Sequence, residues 1–256
     1  MQQLRRLSGR RAARLEEGAF VIEGPTLVRE ALDAGLPITD VFVTSEVEPA
    51  LVEVAAASGA AVRSVSADVL ARAVDTVTPQ GIAAISARTE VSVEDAVLAA
   101  AQGPLALVLV DVSDPGNAGT LLRAAEAAGA AAVLFCGGSV DPCNPKCVRA
   151  SAGALFHVPV SIGGEAAGVL EQLGRAGVRT AATVVRGGTP YDETDLSDPI
   201  AFVLGSEAHG LSTALVDAVD LRLTIPMAGR SESLNVAMAG AVLCFESLRQ
   251  RRSAGR

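Results

Sequence analysis

The chain has 256 residues, half of them hydrophobic and 20% charged, enough apolar material for one large or two ordinary globular domains. A net charge of −8 argues against gripping nucleic acid over the whole surface, and 3% aromatics, with one tyrosine and no tryptophan, leave little for base-stacking platforms. No apolar run approaches the roughly 18–20 residues that span a bilayer and the N-terminus lacks the apolar stretch of a secretory signal, so no membrane partner and a cytoplasmic location are expected.

Residues 1–17 read as a basic helix carrying Arg5, Arg6, Arg10, Arg11 and Arg14, closed near Gly18. Arg249, Arg251, Arg252 and Arg256 crowd the other end; basic ends on an acidic body are able to grip phosphates, although solvated termini carry the same pattern. Strand and helix then alternate: strands at 19–23, 38–44, 61–65 and 82–87, helices at 26–34, 49–58 and 66–74. Glycine or proline punctuates most of them, and the alternation predicts a small α/β unit over residues 1–92. Residues 93–103, which end in Gln-Gly just before Pro104, read as a linker.

From residue 104 to 256 a second unit is expected. Leu105–Val110 is a continuous apolar run, as in a parallel strand buried on both faces. Further strands fit 131–135, 158–162, 179–185, 200–204 and 221–225, with helices at 120–128, 145–155, 165–176, 211–218 and 233–251. The fold class is therefore α/β, with a mostly parallel sheet covered on both sides. The spacing Cys143-x-x-x-Cys147 has prolines around it and no second pair, so buried or free thiols are expected of Cys136, Cys143, Cys147 and Cys244, and no metal site.

Three polar stretches stand where a strand gives way to a helix, the place where ligands bind in open α/β sheets. Asp111-Val-Ser-Asp-Pro-Gly-Asn-Ala-Gly-Thr lacks the three-glycine dinucleotide fingerprint and the P-loop Gly-Lys-Ser/Thr, which sets aside a nicotinamide-dependent oxidoreductase. Arg123 follows on an alanine-rich helix, where burial is costly without an anion and solvent is the alternative. In Leu204-Gly-Ser-Glu-Ala-His-Gly-Leu, Glu207 can orient a cation or hydroxyl, and His209 reads as a satisfied loop histidine. His157 reads as structural. In Leu223-Thr-Ile-Pro-Met-Ala-Gly-Arg-Ser-Glu-Ser-Leu-Asn-Val, Ser233 occupies the expected N-cap and Asn235 the first helical turn.

Taken in order, these stretches resemble the three motifs of the SpoU/TrmH family, RNA ribose 2′-O-methyltransferases of the SPOUT class, over roughly residues 104–250. Asp141-Pro-x-x-Pro-Lys-x-Val-Arg-Ala-Ser-Ala-Gly-Ala-Leu-Phe resembles the family as well. Phe20-Val-Ile-Glu-Gly-Pro and Thr78-Pro-Gln-Gly-Ile-Ala-Ala are similar to the L30e-like substrate-binding domain that many members carry. The resemblance implies a trefoil-knotted C-terminal α/β domain, a homodimer with a shared site, and S-adenosyl-L-methionine as cofactor. It puts Leu204, Gly205, Ile225, Met227 and Leu234 at the cofactor, and Asn117, Arg123, Glu207, Ser233 and Asn235 at the active site.

An arginine is protonated below about pH 12, so Arg123 suits gripping a phosphate and steadying an oxyanion better than acting as a base. Ribosomal RNA of the 23S type is the expected substrate, because the tRNA-modifying branch typically lacks the L30e-like domain. Transfer RNA, or a non-catalytic RNA-binding or assembly role, are the alternatives. Ala208 stands where many members have glycine, which bears on substrate choice and leaves His209 able to touch RNA.

Overall fold

A computed structural model describes residues 1–76 and 78–255; of the basic C-terminal arginines, Arg256 lies outside them. In chain order the elements are α1 (Gln2–Gly9), α2 (Arg11–Glu17), β1 (Ala19–Glu23), α3 (Pro25–Asp33), β2 (Ile38–Val43), α4 (Pro49–Ala57), β3 (Ala61–Ser64), α5 (Ala67–Ala71) and β4 (Ile82–Ala87). There follow α6 (Val93–Gln102), β5 (Leu105–Val110), α7 (Pro115–Ala127), β6 (Ala132–Cys136), α8 (Pro145–Ser151), β7 (Val160–Ile162), α9 (Ala166–Arg175) and β8 (Arg179–Thr183). The chain closes with β9 (Thr189–Pro190), β10 (Ile200–Leu204), α10 (Thr213–Ala218), β11 (Leu221–Thr224) and α11 (Val236–Ser253). They form two compact units: residues 1–89 with 141–157, and residues 90–140 with those from 158 onward.

The first unit is built on a four-stranded sheet ordered β1-β4-β2-β3, with β4 antiparallel to both neighbours and β3 parallel to β2. Strand periodicity divides its side chains between two cores. Phe20, Ile22, Val41, Val43, Ile82 and Ala84 meet α3 and α4 on one face. On the other, Val21, Phe42, Ala83 and Ile85 meet Leu4, Leu7 and Leu70. The single helix expected over 1–17 is two helices. Gly9 weakens the helix, and Arg10 takes an extended backbone (φ −128°, ψ 115°). The break lets Arg14 turn back and donate from Nη1 to the Leu7 carbonyl at 2.9 Å.

Residues 141–157, which the sequence reading puts in the second unit, pack in the first. Cys143 and Val148 join the core beneath β1. The carboxylate of Asp141, only 3% exposed, accepts from Arg14 Nε at 2.7 Å and Arg88 Nη2 at 3.1 Å. Arg149 pairs with Glu23 at 3.5 Å, and His157, read as structural, with Glu30 at 2.7 Å. These partners lie far away in sequence, so no local pattern marks the excursion. Nor is 93–103 a linker: it is mostly α6, whose Ala96, Val97 and Ala100 are buried in the core of the second unit.

The second unit carries a seven-stranded sheet ordered β7-β6-β5-β10-β8-β11-β9, in which every pairing is parallel. All six residues of β5 are buried, as the apolar run predicts. Ala106, Val108, Val110, Ala201 and Val203 face α6 and α9, while α7 packs against β5 and α11 against β10. Gly240 permits the close pairing of α11 with α7: a Cβ there would lie 2.3 Å from Leu121 Cδ2 and 2.9 Å from Leu204 Cδ1. Among the described residues no helix is long and apolar enough to cross a membrane, and no cluster of three His, Cys, Asp or Glu residues is placed to hold a metal ion.

Candidate active site

Strands β5 and β10 are neighbours in the second unit, but their onward connections leave in opposite directions, to β6 on one side and past β8 to β11 on the other. The loops beyond their carboxyl ends therefore flank a crevice, as at a topological switch point. The segments after β5, β10 and β11 are the three polar stretches singled out in the sequence.

Helix α7 starts five residues earlier than expected. Asp114 is its N-cap, its side chain accepting from Asn117 N at 2.9 Å, and Pro115 takes the first helical position. The Asp-Pro pair is a start signal the sequence reading passed over. Asn117 thus lies in the first turn. Its Nδ2 donates to Glu207 Oε1 at 2.9 Å and its Oδ1 accepts from Asn235 Nδ2 at 3.0 Å. Glu207 also accepts from the backbone N–H groups of Ser113 and Asp114, each at 3.2 Å, two donors with no side-chain signature in the sequence. Partial burial pushes the Glu207 carboxyl up, but the bonds from Asn117 and from backbone N–H groups outweigh it and hold the group below its ordinary 4.5. A carboxylate so engaged is a poor base and a good anchor.

The N-cap of α11 is Asn235, not Ser233: Asn235 Oδ1 accepts from Ala237 N at 2.9 Å and Met238 N at 3.4 Å. Serine and asparagine cap equally well, and the amide of Asn235 bonds Asn117 at the same time, which a serine hydroxyl is too short to do. Ser233 is left in the open loop.

A cavity of about 640 Å3 lies between these loops. Gly205, Ile225, Met227 and Leu234 line it, as do Glu207, Ser233 and Asn235. Leu204 does not: it is fully buried against the position of Gly240. Arg123 is outside the lining, exposed on α7 two turns beyond Asn117, with no hydrogen-bond or ion-pair partner among the described residues. His209, expected as a satisfied loop histidine, lines the cavity, exposed and without a partner among the described residues. The wall also includes Thr183–Val185, Ser206, Gly210 and Glu232, which the sequence reading missed.

Residues 104–245 match the SpoU rRNA Methylase family. This chain belongs to that family. Residues 1–84 match the MRM3-like substrate binding domain, so the SpoU motifs are preceded by a recognised second module. Over 234 residues the chain is 36% identical to the 23S rRNA (guanosine(2553)-2′-O)-methyltransferase RlmP of Bacillus subtilis, covering 91% of this chain and 89% of that one. The AdoMet-bound rRNA methyltransferase of Sinorhizobium meliloti superposes with a TM-score of 0.86 at 31% identity, covering 97% and 93% of the two chains. A structure described for 2-OH methylation of C/U34 on tRNA reaches a TM-score of 0.53 at 31% identity, covering 59% of this chain but 97% of that one.

Proposed function

We propose that this protein transfers a methyl group from S-adenosylmethionine to the 2′-hydroxyl of a ribose in RNA, and that its substrate is ribosomal RNA of the 23S kind. The observation that carries the reading is the convergence of three distant loops on one cavity, locked together by the Asn235–Asn117–Glu207 hydrogen bonds. Near full-length similarity to an enzyme named for 23S rRNA supports the substrate, as does a structure named for tRNA methylation that matches little more than half of the chain.

The cavity fits the cofactor. Its volume lies in the range of small-molecule sites. Leu223, Ile225 and Leu234 offer apolar wall, and the carboxylate of Glu232 suits a cationic group. When bound, S-adenosylmethionine supplies an electrophilic methyl on a positively charged sulfur. Gly205, Ile225, Met227 and Leu234 would hold it, with Leu204 supporting the floor from below.

The chain itself must place the hydroxyl in line and steady the charge that develops on its oxygen. Arg123, without a partner among the described residues, is assigned to the RNA phosphate and that oxygen, which its planar guanidinium fork suits. Asn117, Glu207 and Asn235 fix the N-terminal end of α7, the helix that carries Arg123, and Ser233 at the cavity wall is assigned to the ribose side. Arg123 stands outside the cavity of its own chain, and Met238 and Phe245 on α11 are 62% and 48% exposed, which supports a homodimer whose partner shares the site. The trefoil knot of the resemblance and a cytoplasmic site of action belong to the same proposal, on the ground of family membership.

The test is transfer of labelled methyl to unmethylated RNA, fractionated into ribosomal and transfer pools, with Arg123→Ala and Arg123→Lys alongside. Label in ribosomal RNA that falls about 10²-fold in both variants is expected, because lysine lacks the planar fork. Label in transfer RNA alone overturns the substrate, and S-adenosylmethionine binding with no transfer to either pool overturns the reaction. An Arg123→Lys enzyme at full turnover overturns the role of Arg123.

A further inference from the structure

Asp111, the residue after β5, takes a left-handed backbone conformation, φ +55°. Apart from Ala152, every other positive-φ position among the described residues is glycine. A turn alone would be met at no steric cost by glycine, so the aspartate side chain is where its reason must be sought. Its Oδ1 accepts from Gly138 N at 2.5 Å. A Cβ on Gly137, itself at φ +59°, would stand 2.6 Å from that oxygen, so the carboxylate occupies a slot that the Gly137-Gly138 pair leaves open.

The next residue is fixed to the same loop. Val112, fully buried, donates its N–H to Ser139 Oγ at 3.2 Å and accepts from Val140 N at 2.9 Å. Ser139 Oγ in turn donates to the Leu109 carbonyl at 3.0 Å. Beyond these bonds the N–H groups of Ser113 and Asp114 both face Glu207. In a continuing strand successive N–H groups point to opposite sides; two neighbours converge on one anion only where the backbone turns into a nest.

We infer that Asp111 is a positioning residue of this active site, clamping the β5–α7 loop onto the Gly137-Gly138 turn so that the Ser113 and Asp114 amides hold Glu207, and through it Asn117, in place. The inference rests on the methyltransferase reading for its effect on rate, but the clamp is measurable without it. Asp111 touches neither the cavity nor the reacting atoms, and its influence passes through the backbone it bends.

The experiment compares Asp111→Gly with Asp111→Asn in the full chain. Glycine accepts φ +55° without strain, so the first variant removes the clamp while keeping the turn; asparagine keeps an acceptor oxygen and tolerates the same φ. Three quantities are read: single-turnover methyl transfer at saturating RNA and cofactor, the dissociation constant for S-adenosylmethionine, and the Glu207 carboxyl titration by carbon NMR. In Asp111→Gly transfer should fall about 10²-fold and the Glu207 titration should move up, while cofactor affinity stays within about threefold. Asp111→Asn should recover most of the rate and the depressed titration.

Wild-type turnover in Asp111→Gly, or an unmoved Glu207 titration, overturns the inference. Loss of cofactor affinity in step with rate reduces Asp111 to a general structural role and overturns it too. If wild-type protein methylates no RNA, the functional reading fails while the Glu207 titration still decides the clamp.

Discussion

At Glu207 the competition between burial and hydrogen bonding decides what the side chain can do. Its folded titration lies below the ordinary 4.5, so its bonds to Asn117 and to the Ser113 and Asp114 amides are complete above that pH. They are lost only as the pH falls through the lowered folded value. Methyl transfer measured from about pH 5 to 9 should therefore show no acid limb from this group. Glu207→Gln should lower the rate about tenfold or more at every pH, because an amide turns one of its two ends, a donor, toward donors. An acid limb that vanishes in the Gln variant would make Glu207 a proton acceptor instead of an anchor. The residue types of this site were legible in the three motifs; their pairing was not. Asn117 and Asn235 lie 118 residues apart and meet only because α11 settles on α7, and the donors at Ser113 and Asp114 are backbone groups common to every residue. Arg123 was legible as an exception on an alanine-rich helix, and it is exposed on α7.

Elements were read best where the signal is local. The buried run of β5 lies in the sequence itself. Boundaries slipped where two residues compete, as Ser233 and Asn235 do at α11, or where a start signal precedes a glycine-rich turn, as Asp114-Pro115 does at α7. Helix α8 was expected, but its allegiance was not, since Asp141 meets Arg14 and Arg88 only in three dimensions. Asp141→Ala removes one carboxylate from two buried guanidiniums. It should lower unfolding stability by about 3–5 kcal/mol, read as a shift in denaturant midpoint. A loss below about 1 kcal/mol would mean that water or another acceptor replaces the carboxylate.

For the whole molecule, alternating strands and helices were enough to foresee an α/β chain with a parallel sheet in its second half, while the family motifs identified the reaction that periodicity has no means to show. The apolar stripe of α11 sets an expectation at this scale. Phe245→Glu should convert a dimer into a monomer in sedimentation and lose methyl transfer, with cofactor binding spared; a wild-type monomer that is fully active would remove the shared site. The excursion of residues 141–157 into the first unit has a consequence for how the protein is made. A ribosome delivers residues 1–89 first, but the carboxylate that neutralises Arg14 and Arg88, and the Cys143 and Val148 that complete the core, are still unsynthesised. At ~5–20 residues per second, closure of the N-terminal unit is delayed by a time on the order of several seconds. Nascent chains halted with His157 still inside the exit tunnel should be cut readily by protease in the segment already emerged, and chains long enough to free it should resist. Birth order and folding order are uncoupled here, and the newborn chain has an interval in which a chaperone can intervene.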